Sequence, residues 1–128
     1  MGSVGILVVE DDADIRSALG DILADEGYAV SSAADGREAL ELLRAGLSPR
    51  VILLDLMMPV MTGPAFRAAQ LAEPSLSGIP VILITAGGRL REVSQALGAE
   101  ASFSKPFELS RLLRAIAGVV AHQRSAAA

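Results

Sequence analysis

Five short apolar runs, each followed by a segment with helical spacing, constrain this chain more than any other feature of its sequence. The runs cover residues 5–9, 29–33, 51–54, 79–84 and 101–104, and the second is the weakest because it is rich in small residues. Between the runs, apolar residues recur every three or four positions, as Ile15, Leu19 and Leu23 do. Runs without polar alternation indicate strands that are covered on both faces. The pattern therefore predicts an α/β fold: a doubly wound, five-stranded parallel sheet flanked by five helices.

Capping residues and glycines set the expected helix boundaries. The first helix is predicted over residues 13–26 and is expected to end before Gly27. The second is expected between a cap at Asp35 and an end at Gly46. The remaining helices are expected over residues 64–72, from Leu90 to Gly98, and over a last segment with apolar residues from 109 to 120. The 128 residues suit a single domain with a core over about residues 5–121 and short flexible tails.

The composition excludes several classes of protein. The chain has no cysteine, which removes disulfide frameworks and thiolate chemistry. No apolar run approaches the roughly 20 residues that a membrane-spanning helix needs. The net charge of −4 argues against direct nucleic-acid binding. We therefore expect a cytoplasmic protein that binds neither membranes nor nucleic acids directly.

Polar side chains stand at the ends of four of the five predicted strands. Glu10, Asp11 and Asp12 follow the first strand, and Asp55, Thr85 and Lys105 follow the third, fourth and fifth. In an open parallel sheet, ligands bind beyond the carboxyl ends of the strands. These residues are therefore expected to meet in one site, although they are far apart in sequence.

The charges of these residues indicate the kind of ligand. A nucleotide-binding fold places a glycine-rich turn after its first strand, whereas this chain places three acids there, which repel phosphate and attract a hard cation. Mg²⁺, or Mn²⁺ in its place, would bring the combined charge of Glu10, Asp11, Asp55 and Lys105 to zero. Lys105 is the only lysine beside ten arginines, which suggests that the site requires a compact ammonium.

A carboxylate at such a site can act as a nucleophile and form an acyl phosphate. Asp55 is the candidate, with Lys105 and the cation neutralising the transferred group. Thr85 offers a hydroxyl to the new phosphoryl oxygens, and the small Ala86 leaves the approach open.

Four segments, ILVVEDDADIR, VILLDLMMPVMTG, PVILITA and SFSKPF, resemble the receiver domain of two-component response regulators. The resemblance covers about residues 5–121 and implies a flavodoxin-like sheet with strand order 2-1-3-4-5. It implies that Asp55 is the phosphoacceptor. It also implies that Asp11 binds Mg²⁺ directly, Glu10 binds it through water, and the Met57 backbone carbonyl completes the protein ligands.

The resemblance assigns roles to further residues. Thr85 and Lys105 match the hydroxyl and the ammonium that contact the phosphoryl group, and Phe103 matches the switch aromatic. The Lys105–Pro106 bond matches a cis peptide, which X–Pro bonds adopt at low cost. Asp12 is expected to be a plain helix cap.

The expected partner is a sensor histidine kinase or a histidine phosphotransfer protein. The output surface would comprise the fourth helix, the fifth strand and the fifth helix, and would control a partner or an output domain. Charged residues of this region are candidates for a homodimer face: Arg89, Arg91, Arg111 and Arg114 with Glu92, Glu100 and Glu108. The sequence departs from the family pattern at Thr62 and in a shortened segment around residues 86–97, so the output geometry does not follow from the resemblance.

Three alternatives differ from this interpretation. An aspartyl-nucleophile phosphohydrolase of the haloacid dehalogenase type shares the Asp, Thr, Lys and Mg²⁺ set, but expects a second Asp where Met57 stands. A pure interaction module would not need the intact set of site residues. A flavin-binding domain would need a phosphate-binding loop where this chain has acids.

Overall fold

Strands and helices alternate through residues 4–58, 60–86 and 90–127, which are described by the computed structural model. The strands are β1 (Gly5–Val9), β2 (Ala29–Ala33), β3 (Val51–Asp55), β4 (Val81–Thr85) and β5 (Ala101–Ser104). The helices are α1 (Ala13–Asp25), α2 (Gly36–Arg44), α3 (Gly63–Ala72), α4 (Leu90–Leu97) and α5 (Leu109–Ala127). All neighbouring strands are parallel, in the order β2-β1-β3-β4-β5. The predicted α/β fold and its strand order are confirmed.

The three central strands are buried on both faces because their apolar runs lack polar alternation. Leu7, Val9 and Leu54 pack into one core with residues of α2 and α3. Side chains of the opposite parity, such as Val8 and Leu53, pack into a second core with residues of α1 and α5. The sheet is thus held between two apolar layers, and because its strands are parallel their carboxyl ends lie at one edge.

Three strand boundaries, in β3 and β4, differ by one or two residues from the sequence-based expectation. Asp55 and Thr85 are the last residues of β3 and β4 and do not merely follow them. The fourth strand begins at Val81, after Pro80, because proline has no N–H to donate. The Pro80 carbonyl still accepts a hydrogen bond from the Ile52 N–H at 3.0 Å.

The last helix is longer than expected. Residues 125–127 were expected to form a flexible tail, whereas α5 continues to Ala127. Gln123, Arg124 and the alanines that follow have high helix propensity, which favours this extension. Residues 1–3, also expected to be flexible, lie outside the described residues.

Gly63, the first residue of α3, lies against the loop that follows β3. A Cβ atom on Gly63 would lie 2.6 Å from the Leu56 Cα and 2.9 Å from the Asp55 carbonyl oxygen. Its N–H donates a hydrogen bond to the Leu56 carbonyl at 3.0 Å. The loop beside Asp55 therefore packs so closely on α3 that no side chain fits at residue 63.

We expect Gly63→Ala to lower the free energy of unfolding by about 1–3 kcal/mol, because backbone atoms must move to admit the methyl group. Urea denaturation measures this change. Gly118→Ala is the control: Gly118 is exposed in α5 with no atom within 4 Å of its added Cβ, so the same substitution should stabilise the protein by about 0.5–1 kcal/mol. Equal stability of Gly63→Ala and the wild type would contradict the close packing.

Candidate functional site

Three carboxyl groups meet at the carboxyl edge of the sheet, as the strand ends predicted. Val9 pairs with Leu54 in the parallel register of β1 and β3, so the residues that follow them lie side by side. One carboxylate oxygen each from Glu10, Asp11 and Asp55 lies within 4.8 Å of the other two. Such a group of oxygens suits a hard divalent cation.

Lys105 reaches this cluster from the end of β5. Its Nζ atom donates hydrogen bonds to Glu10 Oε1 at 2.6 Å and to Asp55 Oδ2 at 3.2 Å. Burial lowers the pKa of Lys105, but the hydrogen bond to Glu10 and the charges of Asp55 and Glu10 outweigh that effect and raise it. Lys105 is therefore a cation placed between two carboxyl groups.

Glu10 is fully buried, and its Oε2 atom has no hydrogen-bond partner among the described residues. Burial and the neighbouring Asp55 raise the pKa of Glu10 from 4.5 to about 8, although Lys105 opposes the shift. The single ammonium does not offset the acidic cluster. The site is thus short of positive charge, which is the condition that a divalent cation relieves.

Asp55 lies just below an accessible rim. Its side chain is 4% exposed, and its Oδ1 atom accepts a hydrogen bond from the Met57 N–H at 3.0 Å. Asp11, Met57 and Ala86 are all exposed. The carboxylate is therefore held in a fixed orientation beside residues that reach solvent.

Thr85 ends β4 beside the acidic cluster without bonding to it, and Phe103 lies in β5, two residues before Lys105. The Thr85 hydroxyl donates to the Ala86 carbonyl at 3.3 Å and not to Asp55. Phe103 is half-buried, and its ring packs edge-on against Phe107 at 6.4 Å between centroids. Each of the two side chains therefore has a local partner in this structure.

Two of the sequence-based assignments are visible as local structure. The Asp12 side chain caps α1, accepting hydrogen bonds from the N–H groups of Asp14 and Ile15 at 2.9 and 3.1 Å. Asp12 is not among the carboxyl groups that converge. The Lys105–Pro106 peptide bond is cis.

Arg16 is a site residue that the sequence analysis did not identify. Its Nη1 atom donates to the backbone carbonyls of Glu10 at 2.7 Å and Asp11 at 3.4 Å. The side chain thereby ties the acidic loop to α1. One feature of the sequence could have identified Arg16: it lies one turn into a helix that follows an acidic run.

The comparisons with known proteins agree with this geometry. The sequence profile of the response regulator receiver domain matches residues 6–117. The chain therefore belongs to the family of response regulator receiver domains, which are signalling domains that sensor kinases phosphorylate. The assignment made from the four sequence segments is confirmed.

Two curated relatives show how far the similarity extends. Protein Rrf1 of Nitratidesulfovibrio vulgaris is 36% identical over 110 residues, which cover 84% of this chain and 76% of Rrf1. The response regulator MprA of Mycolicibacterium vanbaalenii is 38% identical over 86% of this chain, but that match covers only 47% of MprA. The chain thus spans about half the length of the MprA and DltR regulators that it matches.

Two solved structures are similar over most of the chain. A receiver domain of a signal transduction histidine kinase from Syntrophus aciditrophicus has a TM-score of 0.85 and 32% identity, covering 94% of this chain and 92% of its own. TrrA from Thermotoga maritima, solved with Mg²⁺ and BeF, has a TM-score of 0.80 and 28% identity, covering 91% of this chain and 98% of its own.

Within the described residues, no helix is both long and apolar enough to cross a membrane.

We expect Glu10→Gln to alter the pH dependence of stability. Because the pKa of Glu10 is higher in the folded than in the unfolded protein, the wild type should lose stability as the pH rises from about 4.5 to about 8. The variant lacks this loss, so its free energy of unfolding should exceed that of the wild type by at least about 1 kcal/mol at pH 8. Urea denaturation in EDTA across this pH range measures the difference. Glu41→Gln changes an exposed glutamate of α2 and should follow the wild-type profile. Parallel profiles for all three proteins would contradict the raised pKa of Glu10.

Proposed function

We propose that this receiver domain is a phosphorylation switch in which Asp55 accepts a phosphoryl group from a sensor histidine kinase or a histidine phosphotransfer protein. The observation that carries the proposal is the convergence of the Glu10, Asp11 and Asp55 carboxyl groups, with Lys105 Nζ 3.2 Å from Asp55 Oδ2. Membership of the receiver family supports the same assignment. The cytoplasmic location expected from the sequence remains part of this proposal.

The acidic cluster fits a divalent cation, and we assign Mg²⁺, with Mn²⁺ as a substitute. Glu10, Asp11, Asp55 and the Met57 carbonyl would hold it. The buried Glu10 Oε2 atom supports this fit, since a buried oxygen without a hydrogen-bond partner is otherwise costly. When bound, the cation supplies positive charge to the oxygens of the phosphoryl donor.

In the proposed reaction, a carboxylate oxygen of Asp55 attacks the phosphorus of the donor. The bond from phosphorus to the histidine nitrogen, or to the acetate oxygen of acetyl phosphate, breaks, and the leaving group keeps its electron pair. Lys105 is close enough to Asp55 to pair with the transferred phosphoryl oxygens, which favours a transition state whose charge lies on them. The Met57 N–H holds the attacking carboxylate in place.

The output follows from the groups that border the site. The Thr85 hydroxyl would exchange the Ala86 carbonyl for a phosphoryl oxygen, and Phe103 would repack from its contact with Phe107. These changes would bias the surface formed by α4, β5 and α5 between two states and so control a partner or an output domain.

A homodimer through the same surface is a further part of the proposal. Arg111 pairs with Glu108 within α5 at 3.4 Å, and both side chains are well exposed, so this pair costs little to rearrange. Arg89 lies outside the described residues, as does the side chain of Arg91.

We expect Asp55→Asn to abolish labelling by acetyl phosphate, because an amide cannot attack phosphorus as the carboxylate does. Mass spectrometry of the intact protein detects the added phosphoryl group, and EDTA should prevent labelling of the wild type. Asp12→Asn is the matched control, since asparagine also caps helices and Asp12 lies outside the cluster. Undiminished labelling of Asp55→Asn would refute the assignment, and steady hydrolysis of a phosphomonoester would favour the phosphohydrolase.

We expect Lys105→Met to separate cation binding from phosphoryl transfer. Removing a positive charge beside two carboxyl groups should tighten Mn²⁺ binding about tenfold. Loss of the ammonium that pairs with the phosphoryl oxygens should slow labelling about tenfold or more. Electron paramagnetic resonance of free Mn²⁺ gives the affinity. Arg37→Met, at an exposed cation of α2, should change neither quantity, and weaker Mn²⁺ binding by Lys105→Met would argue against the proposed role.

A further inference from the structure

The inward face of α3 carries two polar side chains where helical periodicity calls for apolar ones. Its buried residues are Gly63, Phe66, Arg67 and Gln70. Arg67 is 7% exposed and Gln70 is fully buried. Neither residue belongs to the acidic site, and nothing in the proposed chemistry uses them.

Both side chains bind backbone carbonyls of other segments. Arg67 Nε donates to the Leu97 carbonyl at 2.9 Å, and Nη2 donates to the Gly98 carbonyl at 3.3 Å. These carbonyls mark the C-terminal end of α4, where a cation also favours the helix dipole. These two hydrogen bonds thus hold the end of α4 against α3.

Gln70 extends the same network. Its side-chain oxygen accepts from Arg67 Nη1 at 2.7 Å, and its Nε2 atom donates to the carbonyls of Leu76 and Ile79, both at 2.9 Å. These carbonyls lie between α3 and β4. One buried pair therefore ties together α3, the approach to β4 and the end of α4.

Global stability alone does not account for a buried guanidinium. Burial lowers the pKa of Arg67, which the charge of Glu100 only partly opposes, so the charged form is held there at a cost. Apolar side chains of similar volume often serve a core equally well or better. Arg67, held by Gln70, does supply directional hydrogen bonds to the end of a helix, which an apolar side chain cannot do.

The two ends of α4 differ in their surroundings. The helix follows β4, whose last residue, Thr85, borders the acidic site. The C-terminal end of α4 lies about 12 Å from its N-terminal end, since eight residues rise about 1.5 Å each. This C-terminal end accepts the hydrogen bonds from Arg67. The turn there leads into β5, and in this turn the Glu100 N–H donates to the Val81 carbonyl at 2.9 Å.

We propose that Arg67 and Gln70 form a polar latch that fixes the C-terminal end of α4 and the turn into β5, so that the response to phosphorylation leaves this end in place. The latch itself is a feature of the unphosphorylated fold. Its consequence for switching rests on the proposed function of Asp55.

Hydrogen exchange tests the latch without phosphorylation. In Arg67→Met, the amides of Gly98, Ala99 and Glu100 should exchange about tenfold faster or more. This local change should exceed the fall in global stability that urea denaturation measures, which is expected because the oxygens that Arg67 bonds lose their donor. Arg44→Met removes an exposed arginine of α2 that pairs with Glu73 and should leave these amides unaffected. The double variant Arg67→Met/Gln70→Leu removes the whole network and should show the same local increase. Exchange that rises evenly across the protein, or not at all in both variants, would overturn the latch.

Magnesium with beryllofluoride as a phosphoryl mimic tests the consequence for switching. In the wild type, residues 94–100 should keep their exchange rates when the mimic is added, whereas in Arg67→Met they should change severalfold. An equal response of this segment in both proteins would overturn the fixed end. Failure of acetyl phosphate to label Asp55 would count against the proposed function and leave the first exchange result standing.

Discussion

The site depends on one electrostatic constraint: three carboxyl groups share a sheet edge with a single ammonium. The sheet enforces this proximity, because the register of β1 and β3 fixes Glu10 beside Asp55. Glu10 is buried without a full set of partners, so the protein alone does not neutralise the cluster. Folding therefore holds an excess of negative charge at the edge of the sheet, and the apolar layers on both faces of the sheet supply the free energy that this requires.

The sequence was sufficient for the fold because the signals were redundant. Uninterrupted apolar runs indicated buried parallel strands, and glycines marked helix ends such as Gly27 and Gly98, both of which have positive φ. The membership of the site followed from the fold, since residues at strand ends must share an edge. The local pattern agreed with the global topology in the type and order of the strands and helices, and such agreement is what makes a sequence specify one structure.

Burial and orientation could not be predicted in the same way. Glu10 and Asp11 are adjacent and chemically similar, yet one is fully buried and the other is exposed. Glu10 still bonds β2 through its N–H, whereas Asp11 lies in the bend beyond the end of β1. The same limit applies to Arg67 and Gln70. Periodicity places them on the inward face of α3, but their hydrogen bonds go to residues up to 31 positions away, which no local pattern reports.

Two buried polar networks among the described residues are satisfied to different degrees, and this difference suggests a division of roles. In the network of Arg67 and Gln70, each side chain bonds carbonyls or its partner in several directions. In the acidic cluster, a buried oxygen lacks a hydrogen-bond partner, and charge is in excess. A satisfied buried network resists change, whereas an unsatisfied one responds to whatever charge is added. The two ends of α4 therefore have different surroundings. The N-terminal end follows β4, which ends beside the acidic cluster, and the C-terminal end is bound by Arg67, which Gln70 holds in place.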